Sequence, residues 1–140
     1  MAHLVQGADL TSAPVTKWSF WLSVPPLSMN SPYQIIYSQY RVQLSPAARV
    51  WKQRVKEQTP RIILPPNTKL RFGPLSFHAK WLTQQGNPRR FDVHNCVKLL
   101  VDAVCERLGV DDCWVWEAGP YHKVESVEQV GIQVSLGLLP

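Results

Sequence analysis

A chain of 140 residues with 45% hydrophobic content suits one domain with a real core. Its net charge of +5 and pI near 9.3 point to an anionic partner. No apolar run is long enough to span a membrane, and no N-terminal segment has the charged start and apolar run of a signal peptide. The three cysteines at 96, 105 and 113 are odd in number and form no Cys-x-x-Cys, which argues against zinc and for reduced thiols in the cytoplasm.

Residues 1–16 show no periodicity and read as an arm ahead of a single domain over 17–140. Residues 17–24 alternate, with Trp18, Phe20, Leu22 and Val24 on one side, and predict a strand. Pro25-Pro26 ends it. Residues 27–40 read as a long loop containing Asn30, Tyr33 and Tyr40, either an ordinary connection or a surface that touches DNA. Ser45-Pro46 is an N-cap followed by proline at the first helical position. The helix after it carries Ala47, Val50, Trp51 and Val55 as an apolar face, with Arg49, Lys52, Arg54 and Lys56 around the rest. Residues 69–82 predict a strand with an irregularity at Gly73-Pro74; Leu75, Phe77, Ala79 and Trp81 point inward. Residues 113–118 and 122–126 are candidate strands around Gly119-Pro120, with Lys123 a possible phosphate contact. Val130, Ile132, Val134 and Leu136 alternate in a last strand.

The densest chemistry lies in residues 89–112. Val97, Leu100, Val101, Val104 and Leu108 recur at helical spacing, and Asn95, Lys98, Asp102 and Glu106 fall on the other side. Gly109 is a natural stop. If the segment after Asp111-Asp112 folds back beside this helix, Asp112 returns towards Asp92. Two carboxylates, the His94 imidazole and the Lys98 ammonium would then gather beside Arg89 and Arg90. Oxygen ligands for a hard cation, an ammonium for developing charge and arginines for phosphate are the parts of metal-assisted phosphodiester hydrolysis. Taken singly, the aspartates read more readily as structural, Asp92 as an N-cap and Asp111-Asp112 as a turn, and Lys98 as a solvated lysine; the spacing of the set is what points to chemistry.

The run Arg89-Arg90-Phe91-Asp92-Val93-His94-Asn95-Cys96-Val97-Lys98, with Asp102-Ala103 and then Asp111-Asp112, resembles the RusA-type Holliday junction resolvases. That family carries Arg-Arg-x-Asp-x-Asp-Asn-x-x-Lys, a helix with Asp-Ala, and Asp-Asp. Pro25-Pro26-Leu27-Ser28-Met29-Asn30 is similar to its Pro-Pro-Ser-x-Asn loop, and residues 44–56 to its first helix. The resemblance covers residues 17–136. It implies metal ligation by Asp92, His94 and Asp112, charge stabilisation by Lys98, and DNA contacts by Arg89, Arg90, Asn95 and Asn30. It further implies a homodimer acting on four-way or branched DNA with Mg²⁺ or Mn²⁺. The family's second motif aspartate is His94 here, and imidazole is softer than carboxylate, so Mn²⁺ is favoured over Mg²⁺.

The expected fold is therefore α+β, a mixed sheet with two main helices packed on it. The expected function is a metal-dependent endodeoxyribonuclease resolving four-way junctions. The alternatives are a junction- or duplex-binding protein of the same fold with a weakened nuclease site, and a nuclease for flaps or single strands.

Overall fold

The computed structural model describes residues 16–27, 33–36, 41–90 and 93–140. Asn30, Asp92 and the arm up to residue 15 lie outside them. Seven strands and two helices follow one another as β1 (Lys17–Leu22), β2 (Tyr33–Ile36), β3 (Arg41–Leu44), α1 (Pro46–Gln58), β4 (Leu70–Ala79), α2 (Val93–Leu108), β5 (Val115–Ala118), β6 (Tyr121–Glu125) and β7 (Gly131–Leu138). A 3₁₀ turn over Asp112–Trp114 precedes β5.

The main sheet is mixed, as the sequence predicts. β7 lies between β1 and β4 and is antiparallel to both, while β5 and β6 pair with β4 in parallel. β5 and β6 follow each other along the same edge of β4, as one strand broken at Gly119-Pro120. The break faces Gly73-Pro74, where the register of β4 also shifts. Gly73 has φ 142°, and a Cβ there would stand 2.1 Å from the Gly119 carbonyl oxygen. Only a glycine fits this crossing. The Gly119 N–H donates to the Phe72 carbonyl at 2.7 Å and the Leu75 N–H to that of Pro120 at 2.9 Å, which ties the bend to β4.

One core joins the sheet and both helices. Phe20, Phe72, Phe77, Leu75, Ile132 and Leu136 come from the strands and Leu99, Leu100 and Val55 from the helices, all fully buried. α2 is buried more widely than its stripe suggests: Cys96, Leu99, Ala103 and Cys105 are covered as well. It packs against α1 in addition to the sheet, so both flanks of the stripe are occupied. Cys96 and Cys105, half a turn apart, are therefore both buried, and burial pushes each thiol up to about 12.

Two expectations need correction. The loop read over 27–40 contains β2, which pairs antiparallel with β3. Tyr-Gln-Ile-Ile is a strand-forming run, and only four residues separate it from its partner Arg-Val-Gln-Leu, so the pairing is local. The face of α1 that enters the core is Ala48, Trp51 and Val55, and not Ala47 and Val50; Val50 is 62% exposed. The cap itself is as read: Ser45 Oγ accepts from the Ala48 N–H at 3.2 Å. No helix among the described residues is long and apolar enough to cross a membrane.

Candidate active site

α2 begins at Val93, so His94 lies in its first turn. Lys98 is four residues on and Asp102 four beyond that. Such spacing stacks the three side chains in one column on the helix surface. The column exists because the apolar stripe at 97, 100, 101 and 104 turns the remaining face outward.

Asp112 meets this column from across a cleft of about 320 Å³, whose lining also includes Val97, Val101, Ala118 and Tyr121. The chain returns here because Gly109, with φ 69°, ends α2, and its N–H donates to the Glu106 carbonyl at 3.2 Å. Asp111 then caps the 3₁₀ turn, its Oδ1 accepting from the Cys113 N–H at 3.0 Å. Asp111 thus has the turn role, and its neighbour is left to face the cleft. A second hollow of about 340 Å³ shares Asp102 and Asp112 and continues to Glu106, Asp111 and Lys52.

The electrostatics centre on two carboxyls. Burial first, and then a hydrogen bond to Asp112, raise the Asp102 carboxyl above its ordinary value; Lys52 and Lys98 pull the other way. The hydrogen bond needs a proton on one carboxyl, and Asp102 is the one whose proton is held more tightly. Glu106 is opposite in kind. Lys52 bonds it at 2.8 Å, with Lys56 at 3.4 Å, and its carboxyl is lowered chiefly by the Lys52 hydrogen bond. Lys52 and Lys56, two of the basic residues around α1, are therefore engaged by a carboxylate.

His94 is joined to the far wall. Its Nδ1 shares a hydrogen bond with the Tyr121 hydroxyl, and the two rings meet edge to face at 5.3 Å. The Nδ1 bond fixes the orientation of the imidazole across the cleft. Tyr121 had no role in the sequence reading. It reaches the cleft because β6 pairs Tyr121 with Leu75 directly after the Gly119-Pro120 bend, a placement decided by sheet register. Asp102 was read only as part of a matching run. Its i+4 spacing from Lys98 was the available signal for a place in the site.

His94, Lys98 and Asp112 thus come together as expected. The described carboxylate beside Asp112 is Asp102; Asp92, immediately before α2 in sequence, lies outside the described residues. Among those residues no group of three or more His, Cys, Asp or Glu forms a metal-binding cluster. One imidazole and two carboxylates line the cleft, donors of types that a divalent cation accepts, but the three described side chains do not converge as a metal-binding group.

Arg89 and Arg90 do not line this cleft. They border a separate groove of about 880 Å³ between α1 and the end of β4. The Arg89 N–H donates to the Trp81 carbonyl at 2.7 Å, so the residues after the hairpin are fixed to the strand before it. Lys123, on β6, places its ammonium 5.1 Å from the centre of the Trp81 ring. Asn95 is half-buried in the first turn of α2.

Compared with known proteins, the chain matches no family model and has no significant similarity to a curated protein.

Proposed function

We propose that the chain is a divalent-metal-dependent endodeoxyribonuclease of the RusA type that cuts four-way or branched DNA. The observation that carries this reading is the single cleft holding His94, Lys98 and Asp102 on one helical column with Asp112 opposite. That column starts directly after the Arg-Arg-x-Asp run whose pattern the resemblance rests on.

In this reading Asp92, His94 and Asp112 hold Mn²⁺ or Mg²⁺. When bound, the metal supplies a more acidic water and positive charge for the phosphate. The chain's own residues do the remainder. Lys98 stands one turn from His94 and offers its ammonium to the charge that grows on the phosphate oxygens. Tyr121 fixes the orientation of the His94 ring through Nδ1. Asp102, when protonated, holds Asp112 by a hydrogen bond and gives up that proton when a cation arrives. Two symmetric cuts in a junction require two such sites on a two-fold axis, hence a homodimer. Free thiols at Cys96, Cys105 and Cys113 suit a cytoplasmic setting.

The second reading, a junction-binding protein with a weakened nuclease site, draws on two observations. An imidazole stands where the family pattern has an aspartate, and the two carboxyls of the cleft are bonded to each other. One assay separates the two. A labelled synthetic four-way junction is incubated with Mn²⁺ and, separately, Mg²⁺, and binding is measured in parallel. Paired symmetric nicks, faster with Mn²⁺, are expected. Tight binding without nicks in either metal selects the second reading, and failure to bind the junction at all overturns both.

A further inference from the structure

Among the described residues a groove of about 880 Å³ is larger than the cleft with the candidate chemistry, of about 320 Å³. It runs between α1 and the end of β4, and four cations border it: Arg54, Lys80, Arg89 and Arg90. Among the described residues lining it there is no carboxylate, and no ion pair among those residues engages these four cations. Its floor is apolar. Val50 and Ala47, apolar residues of α1 that are exposed, lie along it. The indoles of Trp51 and Trp81 close it below.

The walls are built to keep their shape. The Trp51 indole N–H donates to the Pro25 carbonyl at 2.6 Å. That of Trp81 lies 3.0 Å from the Phe77 carbonyl and 3.1 Å from that of Val124. Glu125 accepts the Trp81 backbone N–H at 2.5 Å, and Leu82 bridges to Pro88 across the tight turn of the hairpin. A rigid apolar floor under uncompensated cations is a costly surface unless something covers it.

We infer that this groove binds unpaired nucleotides: a single-stranded segment whose phosphates meet Arg54, Lys80, Arg89 and Arg90 and whose bases pack on Val50, Ala47 and the prolines of the wall. Charge complementarity selects a polyanion. The apolar floor selects among polyanions. A duplex turns its phosphates and sugars outward and keeps its bases stacked, so it has nothing to place on such a floor, whereas unstacked bases have an apolar face to bury. A volume of about 880 Å³ is within the range of specific ligand clefts, about 300–1,000 Å³. The inference rests on the reading of the chain as a DNA-processing protein and adds that its substrate presents unpaired bases beside the cut.

The test needs no metal and no cleavage. Binding of a fluorescent 15-nucleotide oligo-dT is followed by anisotropy in EDTA across a salt series. The comparators are an abasic oligomer of the same length and a blunt duplex. Arg54→Ala/Lys80→Ala should bind oligo-dT about tenfold more weakly and reduce the salt slope by about 1.4, the value for two lost single-strand phosphate contacts. Val50→Ser, a neutral change at an exposed position, should weaken oligo-dT binding and leave the already weak abasic binding unchanged. The inference is overturned if the double variant and Val50→Ser, both folded by circular dichroism, bind oligo-dT like the wild type. It is equally overturned if the abasic oligomer binds as well as oligo-dT, or if a blunt duplex or poly-glutamate of equal charge competes as well as unlabelled oligo-dT. Loss of junction cleavage with these results intact would remove the nuclease reading and leave the groove standing.

Discussion

The cleft beside α2 and the groove beside α1 are built from opposite electrostatic materials. In the cleft, charges of both signs and an imidazole face one another, and each perturbs the next: Asp102 is raised by burial and Asp112 and lowered by lysines. In the groove the cations face a mostly apolar lining. The difference teaches what each proposed kind of work would require. Bond-breaking would need opposed groups at fixed separations, and the cleft's come from a helical period on one wall and a sheet register on the other. Holding a polyanion would need only an excess of one sign over a surface that the core does not use.

The sharpest way to break the comparison is Asp112→Asn. It removes a carboxylate from the cleft and leaves the groove untouched. Junction cleavage should fall by about 10²–10³-fold, since a metal ligand and its charge are lost together. Oligo-dT binding measured on the same preparation should be unchanged or slightly tighter. A cleavage rate close to wild type would remove Asp112 from the chemistry. Parallel loss of oligo-dT binding would mean the two regions are one.

The crossing of the two Gly-Pro pairs offers the next largest effect, on stability. Gly73→Ala would set a Cβ against the Gly119 carbonyl at a backbone angle that disfavours alanine, with no flexible side chain to yield. The expected cost is about 3 kcal/mol or more, read from urea melts. Because β5 and β6 carry Ala118 and Tyr121 to the cleft, any folded Gly73→Ala protein should lose cleavage before it loses oligo-dT binding. Equal loss of both would show that the crossing supports the whole sheet and not the cleft in particular.

Much of the fold was legible in the sequence, and the reasons are physical. The alternation of Trp18, Phe20 and Leu22, and of Ile132, Val134 and Leu136, gave strands that are buried at those positions. Ser45-Pro46 marked the start of α1 and Gly109 the end of α2, because capping is chemistry between near neighbours. What could not be read is what depends on pairing across the chain. The face of α1 that enters the core was missed for that reason, because Ala47 and Ala48 are equally apolar and only the position of the packed elements chooses between them. The pairing of β2 with β3 is a different miss, since only four residues separate the two strands. The site divides likewise. Lys98 and Asp102 lie on a face that the helical period predicts, and Asp112 returns as expected. Tyr121 depends on register with Leu75 across a broken strand, and the separation of Arg89 and Arg90 into another groove depends on the hairpin before them.

Tyr121→Phe sharpens the comparison within the cleft. It keeps the ring against His94 and deletes the hydroxyl that bonds Nδ1. Cleavage with Mn²⁺ should fall by about tenfold, and Mn²⁺ affinity measured by calorimetry should weaken in step, as is usual when a partner of a metal-ligating histidine is removed. His94→Asp should improve Mg²⁺-supported cleavage, because it restores an oxygen donor and a charge. In the His94→Asp background the Tyr121→Phe change should matter little. If Tyr121→Phe costs as much there as in the wild type, the hydroxyl acts on something other than the histidine.

The smallest effect should come from Asp102→Asn, and its sign is what matters. The native Asp102 carboxyl is raised above its ordinary value of 3.8, by burial first and by Asp112 second, so the folded chain holds this proton more tightly than the unfolded one. Stability from that proton is fully present below 3.8 and is lost as pH rises through the raised native value. Above that raised value the wild type carries an ionised Asp102 beside Asp112, and an amide relieves the repulsion while still donating to Asp112. The gain should be modest, about 2 °C in melting temperature at about pH 7 in EDTA, because Asp102 keeps part of its contact with water and screening discounts the interaction. At about pH 3 the gain should disappear, since Asp102 is then protonated. The groove supplies the control: Arg54→Ala/Lys80→Ala removes cations that face no carboxylate, so its shift in melting temperature should not change sign or size over the same range. An Asp102→Asn shift that is equally independent of pH would show that the two carboxyls do not act on each other, and the contrast between the two regions would then rest on geometry alone.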